Sequence, residues 1–152
     1  IYHFISGYTA KIPGTESDII KPRATFSPCF GGPFMPRFIN DYADLLRKRL
    51  IEFNSQCWLI NTGWWGGVYG VGMRIDLSTT RKIVEKCISN SFNSDNFKQS
   101  DFFDLKFPAF LECEKLTSLN PIDKWKDKGM YKEVANNLNK LFKEKYSKFN
   151  NL

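Results

Sequence analysis

Residues 58–81 have some of the residue types of a phosphate-binding loop, with five glycines and three tryptophans. Glycines at such a turn let backbone amides approach a phosphate closely. Gly67 and Gly72 have the spacing of the glycines in a P-loop, GxxxxGK[ST]. Met73 and Arg74 follow them, so the lysine that neutralises phosphate charge and the hydroxyl that binds magnesium are both missing. The segment is therefore not a Walker A loop, and its spacing alone leaves a structural loop and a ligand loop equally open.

The other chemistry-bearing residues form no familiar site. The dinucleotide fingerprint GxGxxG fails because Ile75 occupies its third glycine position, after Gly70 and Gly72. The chain has one histidine, His3, which we expect to be structural. The cysteines lie far apart, which indicates neither a zinc ribbon nor a compact disulfide framework and predicts buried free thiols in a reducing cytosol. They are at positions 29, 57, 87 and 113.

Length and charge narrow the class of protein. A chain of 152 residues is about one domain and can bury a sizeable core. No apolar run approaches the ~20 residues of a membrane span, so we expect a soluble, cytoplasmic protein. Most of the net charge of +6 follows Pro121, but the aromatic residues recur at helical spacing, which favours a core over a nucleic-acid surface. The chain begins with Ile1 and has no signal-peptide pattern, which favours a piece of a longer protein.

The glycine-rich segment follows a predicted helix and strand. Asn40 is a good N-cap, and apolar residues recur at three- and four-residue spacing over residues 42–53, so we predict an amphipathic helix that ends near Asn54. The short apolar run at residues 57–60 is typical of a buried strand. Helix, strand and glycine loop in this order indicate an α/β fold.

A second helix is predicted after the glycine loop. Ser78 or Thr79 can cap it. Its apolar side is Ile83, Val84, Cys87 and Ile88. Thr80 then lies in the first turn, where its hydroxyl and the free amides can bind a polar ligand or satisfy one another. Self-capping is the default expectation.

The rest of the chain is expected to be scaffold. Prolines between residues 22 and 36 forbid a continuous helix, and the phenylalanines among them are expected to anchor this segment to a core rather than line a pocket. Residues 89–101 are rich in Asn and Ser, which predicts an exposed insertion. A final helix follows the turn at residues 119–121. Its apolar stripe is Val134, Leu138, Leu141, Phe142 and Phe149.

Four blocks of sequence carry a family resemblance. They read YHFISGYTAKIPGTE, TFSPCFGGPFMP, WLINTGW and GVGMRIDLSTTRKIV. In the same order, these blocks resemble the C-terminal part of the ATP-dependent phosphoenolpyruvate carboxykinases. The ending, LNPIDKWKDKGMY and LFKEKYSKF, is similar to that of the family. The resemblance covers most of the chain except the insertion at residues 89–101.

The resemblance implies an enzyme of gluconeogenesis, a kinase-like carboxy-lyase. Oxaloacetate loses carbon dioxide, and the enolate takes the γ-phosphoryl group of ATP to give phosphoenolpyruvate and ADP. The family's P-loop, metal-binding aspartate, metal-ligating lysine and histidine, and substrate-binding arginines all precede the region that this chain resembles. Catalytic and metal-binding residues are therefore expected in the parent enzyme, which would use ATP with Mg or Mn, and the isolated chain is expected to be inactive.

The resemblance assigns three residues of this chain to the adenine and ribose side of the ATP site. In the family this side includes an Arg-Ile pair and a Thr five positions after the Ile, which here are Arg74, Ile75 and Thr80. A guanidinium can stack on a purine, an aliphatic chain can cover its face, and a hydroxyl can bond its edge. The alternative is a surface arginine, a core isoleucine and a capping threonine.

Two positions depart from the family's pattern. Met73 stands where a lysine often precedes the arginine, and Trp65 stands where the residue is commonly small. We expect both to affect the strength of nucleotide binding rather than phosphoryl transfer.

The resemblance also implies the fold and two classes of function. Residues 1–152 are expected to form the C-terminal portion of an α/β mononucleotide-binding, P-loop-containing carboxykinase domain. If upstream strands are missing, exposed edges and apolar faces would favour self-association. The chain is either part of the enzyme or a noncatalytic module that binds ATP weakly or packs against a partner. Expected ligands are ATP or ADP and, through the parent, oxaloacetate or phosphoenolpyruvate, with no nucleic acid or membrane partner and an open oligomeric state.

Overall fold

The computed structural model describes residues 1–11, 19–92, 94–111 and 118–147. Helices and three two-stranded antiparallel sheets alternate along the chain, which agrees with the α/β class at the level of helix and strand content. The chain divides into two compact units, Ile1–Cys57 with Leu138–Leu152 and Trp58–Asn137. One predicted thiol, Cys113, and the stripe residue Phe149 lie outside the described residues.

The first unit begins with helix α1, Tyr2–Ser6, followed by strands β1, Tyr8–Lys11, and β2, Arg23–Phe26. The strands pair antiparallel, with Tyr8 opposite Phe26. Gly7 joins α1 to β1 with a φ of +57°, and a Cβ there would overlap the carbonyl of Ser27. This turn therefore requires glycine both for its backbone conformation and for the close approach of Ser27.

An aromatic cluster forms the core of the first unit. Its centre is Phe142, 4% exposed, on the long helix α5, Lys128–Ser147. The ring of Phe142 lies 5.3 Å from that of Phe26, 5.4 Å from that of Tyr8 and 5.1 Å from that of His3. Edge-to-face and tilted pairs at these distances are favourable arrangements for aromatic rings. The structural role predicted for His3 is therefore confirmed.

Helix α2, Ile39–Glu52, confirms the predicted amphipathic helix, but its predicted cap is wrong. Phe38 takes the N-cap position without a side-chain hydrogen bond, because the chain leaves its extended conformation there and Asn40 already lies in the first turn. Ala43 is the buried residue of this helix, whereas Ile51 is exposed.

The proline-rich segment forms two short 3-10 turns, Pro28–Phe30 and Gly32–Phe34, so the prolines do prevent a continuous helix. Cys29 is buried, as expected for a structural thiol. Phe34 and Phe38, however, are 87% and 78% exposed. Core anchoring is therefore wrong for these two phenylalanines, since the described residues offer no apolar surface that covers them.

The second unit begins with an irregular segment that forms no strand. The strand predicted at residues 57–60 is wrong, because a strand is defined by hydrogen bonds to a partner and no described segment pairs with this one. Cys57 is exposed, which also corrects the expectation that every thiol is buried. Trp58 packs its ring 5.4 Å from that of Phe92, and its indole N–H finds no hydrogen-bond partner among the described residues.

The rest of the described second unit consists of two hairpins, the 3-10 turn Ser94–Asn96, two α-helices and the start of α5. Strands β3, Trp64–Trp65, and β4, Met73–Arg74, form one hairpin, which leads into helix α3, Leu77–Ile88. Strands β5, Phe97–Gln99, and β6, Lys106–Pro108, form the other. Because β5 pairs with β6, the insertion predicted as an exposed loop contains a strand. Helix α4, Pro121–Lys124, precedes the start of α5.

Candidate functional site

The glycines of residues 58–81 close a tight hairpin. Strands β3 and β4 pair with Trp64 opposite Arg74 and Trp65 opposite Met73. A Cβ on Gly72 would overlap the carbonyl oxygen of Gly67 and lie 2.7 Å from the carbonyl oxygen of Trp65. Glycine is required at Gly72 because the two sides of the hairpin touch there through backbone atoms. Gly67 and Gly72 therefore have a structural role, one of the two roles that their spacing leaves open.

Arg74 presents a guanidinium at the base of this hairpin. Its central carbon lies 5.6 Å from the ring centroid of Trp64, a cation–π arrangement. The ring of Trp64 in turn meets that of Tyr69 edge to face at 5.3 Å. Arg74 is exposed, so one side of its cation rests on an aromatic platform while the rest of the group meets solvent.

Asp76 caps helix α3, which corrects the prediction of Ser78 or Thr79. Its Oδ1 accepts hydrogen bonds from the backbone N–H of Thr79 and from the hydroxyl of Ser78, both at 2.8 Å. Its Oδ2 accepts a bond from the Thr79 hydroxyl at 2.9 Å. Asp is among the preferred N-cap residues, and its charge also complements the positive end of the helix.

Thr80 satisfies its own helix turn, as the self-capping expectation predicts. Its backbone N–H and its hydroxyl both donate to the carbonyl oxygen of Asp76, at 3.0 and 3.1 Å. The hydroxyl oxygen of Thr80 keeps its lone pairs when the hydroxyl donates its proton, so it can still accept a hydrogen bond. Ile75 is half-buried, and its N–H donates to the carbonyl oxygen of Gly63 at 3.0 Å.

The three predicted site residues lie close in sequence but do not line one cavity. Arg74 ends β4, Ile75 follows it, and Thr80 borders a shallow apolar groove along α3 with Val84 and Ile88. A ligand of all three would extend from the end of β4 to the first turn of α3. Sequence reasoning missed Trp64 as the support of Arg74, although the alternation of side chains along paired strands could have indicated it.

The two departures from the family's pattern face each other across the hairpin. Trp65 and Met73 are register partners, and both line a cavity of about 310 Å³ that excludes Trp64 and Arg74. The ammonium of Lys124 lies 5.2 Å from the Trp65 ring centroid. Lys124 therefore places a positive charge beside Trp65 and Met73, although residue 73 itself is not a lysine.

Burial raises the pKa of both the Cys29 and the Cys87 thiol. A raised pKa keeps these thiols protonated and unreactive near neutral pH. Within the described ranges, no three His, Cys, Asp or Glu residues gather as metal ligands. In that same part of the chain, no helix is long and apolar enough to cross a membrane.

Comparison with known proteins decides the family. The family model described as phosphoenolpyruvate carboxykinase matches residues 1–117. The chain belongs to the phosphoenolpyruvate carboxykinase family. Curated relatives named phosphoenolpyruvate carboxykinase (ATP) from Brucella anthropi, Brucella suis biovar 1 and Campylobacter jejuni subsp. doylei are each 42% identical over 149 residues. That alignment covers 98% of this chain and 28% of each relative.

The predicted family resemblance is thus confirmed, and the chain spans about 28% of the length of the curated relatives it matches.

Proposed function

We propose that this chain supplies the adenine and ribose side of the ATP site of a phosphoenolpyruvate carboxykinase (ATP). The complete cytoplasmic enzyme would convert oxaloacetate and ATP to phosphoenolpyruvate, ADP and carbon dioxide in gluconeogenesis. The observation that carries the proposal is the exposed guanidinium of Arg74 on the Trp64 ring, in a chain whose residues 1–117 match the family. Residues 1–152 would then be the C-terminal portion of the carboxykinase domain.

The exposed guanidinium of Arg74 supports a contact with a purine. A guanidinium is planar and weakly hydrated, so it stacks on flat rings from either side. Its central carbon lies 5.6 Å from the Trp64 ring centroid on one side, and an adenine would meet the guanidinium on its exposed side. Tyr69 restrains the indole, which limits the freedom that Arg74 must lose when the nucleotide binds.

Ile75 and Thr80 would complete the nucleoside contacts. Ile75 is half-buried beside Arg74 and offers an aliphatic surface next to the base. The Thr80 hydroxyl, already donated to the Asp76 carbonyl, would accept a hydrogen bond from the exocyclic amine of adenine or from a ribose hydroxyl. A ligand group that only accepts would gain nothing from Thr80.

The hairpin does not fit the triphosphate end of ATP. The backbones of Gly67 and Gly72 lie against each other, which leaves no space for a phosphate between them. Met73 also stands at the position of the P-loop lysine. The described residues also bring together no metal-binding group. The γ-phosphate and the Mg or Mn ion would therefore be held by residues of the parent enzyme outside this chain, which agrees with a role limited to the nucleoside.

Calorimetric titration of the chain with AMP and with ATP tests this role. Because the contacts are to base and ribose, we expect the two nucleotides to bind with similar affinity. R74A should weaken both by about tenfold, the loss of one stacking cation. R49A is the matched control, because Arg49 likewise lies over an aromatic ring, Phe53, at 5.7 Å, but in the other unit. Equal losses in R74A and R49A would exclude the proposed site.

In a complete enzyme, R74A should raise the KM for ATP more than the KM for oxaloacetate. Equal increases in both constants would instead indicate general misfolding. The two assays are complementary, since the first needs no catalysis and the second separates nucleotide from substrate.

A second function, a noncatalytic module that packs against a partner, is supported by the apolar surface of the first unit. The exposed fraction is 87% for Phe34, 78% for Phe38 and 75% for Ile51. Exposed apolar side chains favour association where they form one contiguous patch. Light scattering of the purified chain distinguishes the two functions, because a monomer that binds AMP supports the nucleoside site alone.

A further inference from the structure

The face of the hairpin opposite Arg74 lines a cavity. Side chains alternate along paired strands, so Trp65 and Met73 point away from Trp64 and Arg74. They meet the segment that joins α4 to α5 and enclose about 310 Å³. That volume is at the lower end of small-molecule sites and has room for a ligand of one or two rings.

Glycine brings the two walls of this cavity together. A Cβ on Gly66 would lie 3.0 Å from the carbonyl oxygen of Lys124, so a side chain at this position would push the hairpin and residue 124 slightly apart. Gly66 also has a φ of +74°, which other residues rarely adopt. The cavity is therefore built into the backbone of the hairpin.

The walls of the cavity are mostly aromatic and aliphatic. Trp65 and Trp125 are both half-buried, and Trp125 is held edge to face with Tyr131 at 5.5 Å. Val71 and Met130 add aliphatic surface. Fixed indole rings next to adaptable methionine side chains are suited to a flat aromatic ligand.

The charge at the cavity is positive. Lys124 lies on the Trp65 ring at 5.2 Å, and neither Lys124 nor Lys126 forms an ion pair with a described side chain. The carboxylate of Asp127 is engaged at the start of α5, where its Oδ1 accepts a hydrogen bond from the Met130 N–H at 2.9 Å. Asp127 keeps its charge, so the lining has two ammonium groups against one carboxylate, and this excess of positive charge favours an anion.

We propose that this cavity binds a planar aromatic carboxylate of one or two rings. The ring would lie against Trp65 and Trp125, and the carboxylate would meet the ammonium groups of Lys124 and Lys126. This site lies on the opposite face of the hairpin from Arg74 and is independent of the nucleoside site.

Naphthalene-2-carboxylate is a suitable probe, and the three methionines of the chain report its location. In a chain labelled with ¹³C-methyl methionine, ring currents from the probe should shift the methyl signals of Met73 and Met130. Met35 belongs to the other unit and should not shift. A Kd on the order of 1 mM is expected for a probe of this size. AMP should not displace it.

Two variants test the chemistry of the site. K124M keeps most of the side-chain stem and removes the charge, so binding should weaken by about tenfold. K98M is the matched control, because Lys98 also lies over an aromatic ring, Phe110, at 5.8 Å, and it should bind the probe normally. The neutral analogue naphthalene-2-methanol should bind more weakly than the carboxylate. Methyl spectra without probe show whether each variant retains its fold.

The proposal is overturned if all three methionine signals shift together, which indicates nonspecific binding. Equal weakening by K124M and K98M, equal binding of the neutral analogue, or displacement by AMP would overturn it as well.

Discussion

Replacing Trp64 by leucine should weaken nucleotide binding only through Arg74. The guanidinium lies 5.6 Å from the indole centroid at an exposed position, where a cation–π contact contributes about 0.5–1 kcal/mol. Loss of the platform should therefore raise the Kd for AMP by about two- to fivefold. W64F retains a π face and should recover most of the affinity.

A double-mutant cycle isolates this contact. In the R74A background, W64L should have almost no further effect on the Kd for AMP measured by calorimetry, because the cation it supports is gone. Phe53→Leu is the matched control, since it removes the ring beneath Arg49 in the other unit. Additive effects of W64L and R74A would refute the claim that the indole acts by holding the guanidinium.

Three further predictions concern activity, helix capping and pH. The isolated chain should form no phosphoenolpyruvate from oxaloacetate, ATP and Mn, because its sequence has no P-loop motif; turnover above a blank without protein would contradict this. Asp76→Ala should lower the free energy of unfolding by about 1 kcal/mol in urea titrations, and Ser78→Ala by much less, since Asp76 holds the free amide of the first turn. Burial raises the pKa of Cys29 above its ordinary value of 9.0, so the protonated thiol stabilises the fold below that pH. Its contribution to the free energy of unfolding should be lost as pH rises through the folded pKa.

Matched variants serve as controls for the predictions on helix capping and on pH. A Cys29→Ser variant should show a shallower loss of stability above pH 9.0 than the unmodified chain, and identical slopes would contradict the role of this thiol. For the cap, equal losses in the Asp76 and Ser78 variants would show that the carboxylate is not the principal acceptor.

Local patterns predicted local structure well. Helices α2 and α3 follow from apolar spacing, because an amphipathic helix carries its own hydrogen bonds and needs only one packed face. The cap at Asp76 was missed because several residues in a row could accept the same amide bonds. Which one does so depends on the angle at which the chain leaves β4.

Properties that depend on distant partners were predicted less well. Residues 57–60 have the composition of a strand, yet a strand exists only when another segment takes its hydrogen bonds. Phe34 and Phe38 are apolar by type, but burial requires a surface to cover them. For the site, the sequence named Arg74 by resemblance, whereas its support by Trp64 depends on the register of the hairpin.

The hairpin separates positions that are fixed from positions that are free. At its base, Gly72 lies against the backbone of Gly67, and the pairing of Trp64 with Arg74 depends on that contact. At its tip, a Cβ on Gly70 would meet no atom within 4 Å. The residues on either side of Gly70 are held in place, because Tyr69 packs against Trp64 and the N–H of Val71 donates to the carbonyl oxygen of Val68 at 3.0 Å. Gly70 is therefore the position of the hairpin at which a short peptide tag would extend into open space, as long as Tyr69 and Val71 keep their contacts on the two faces.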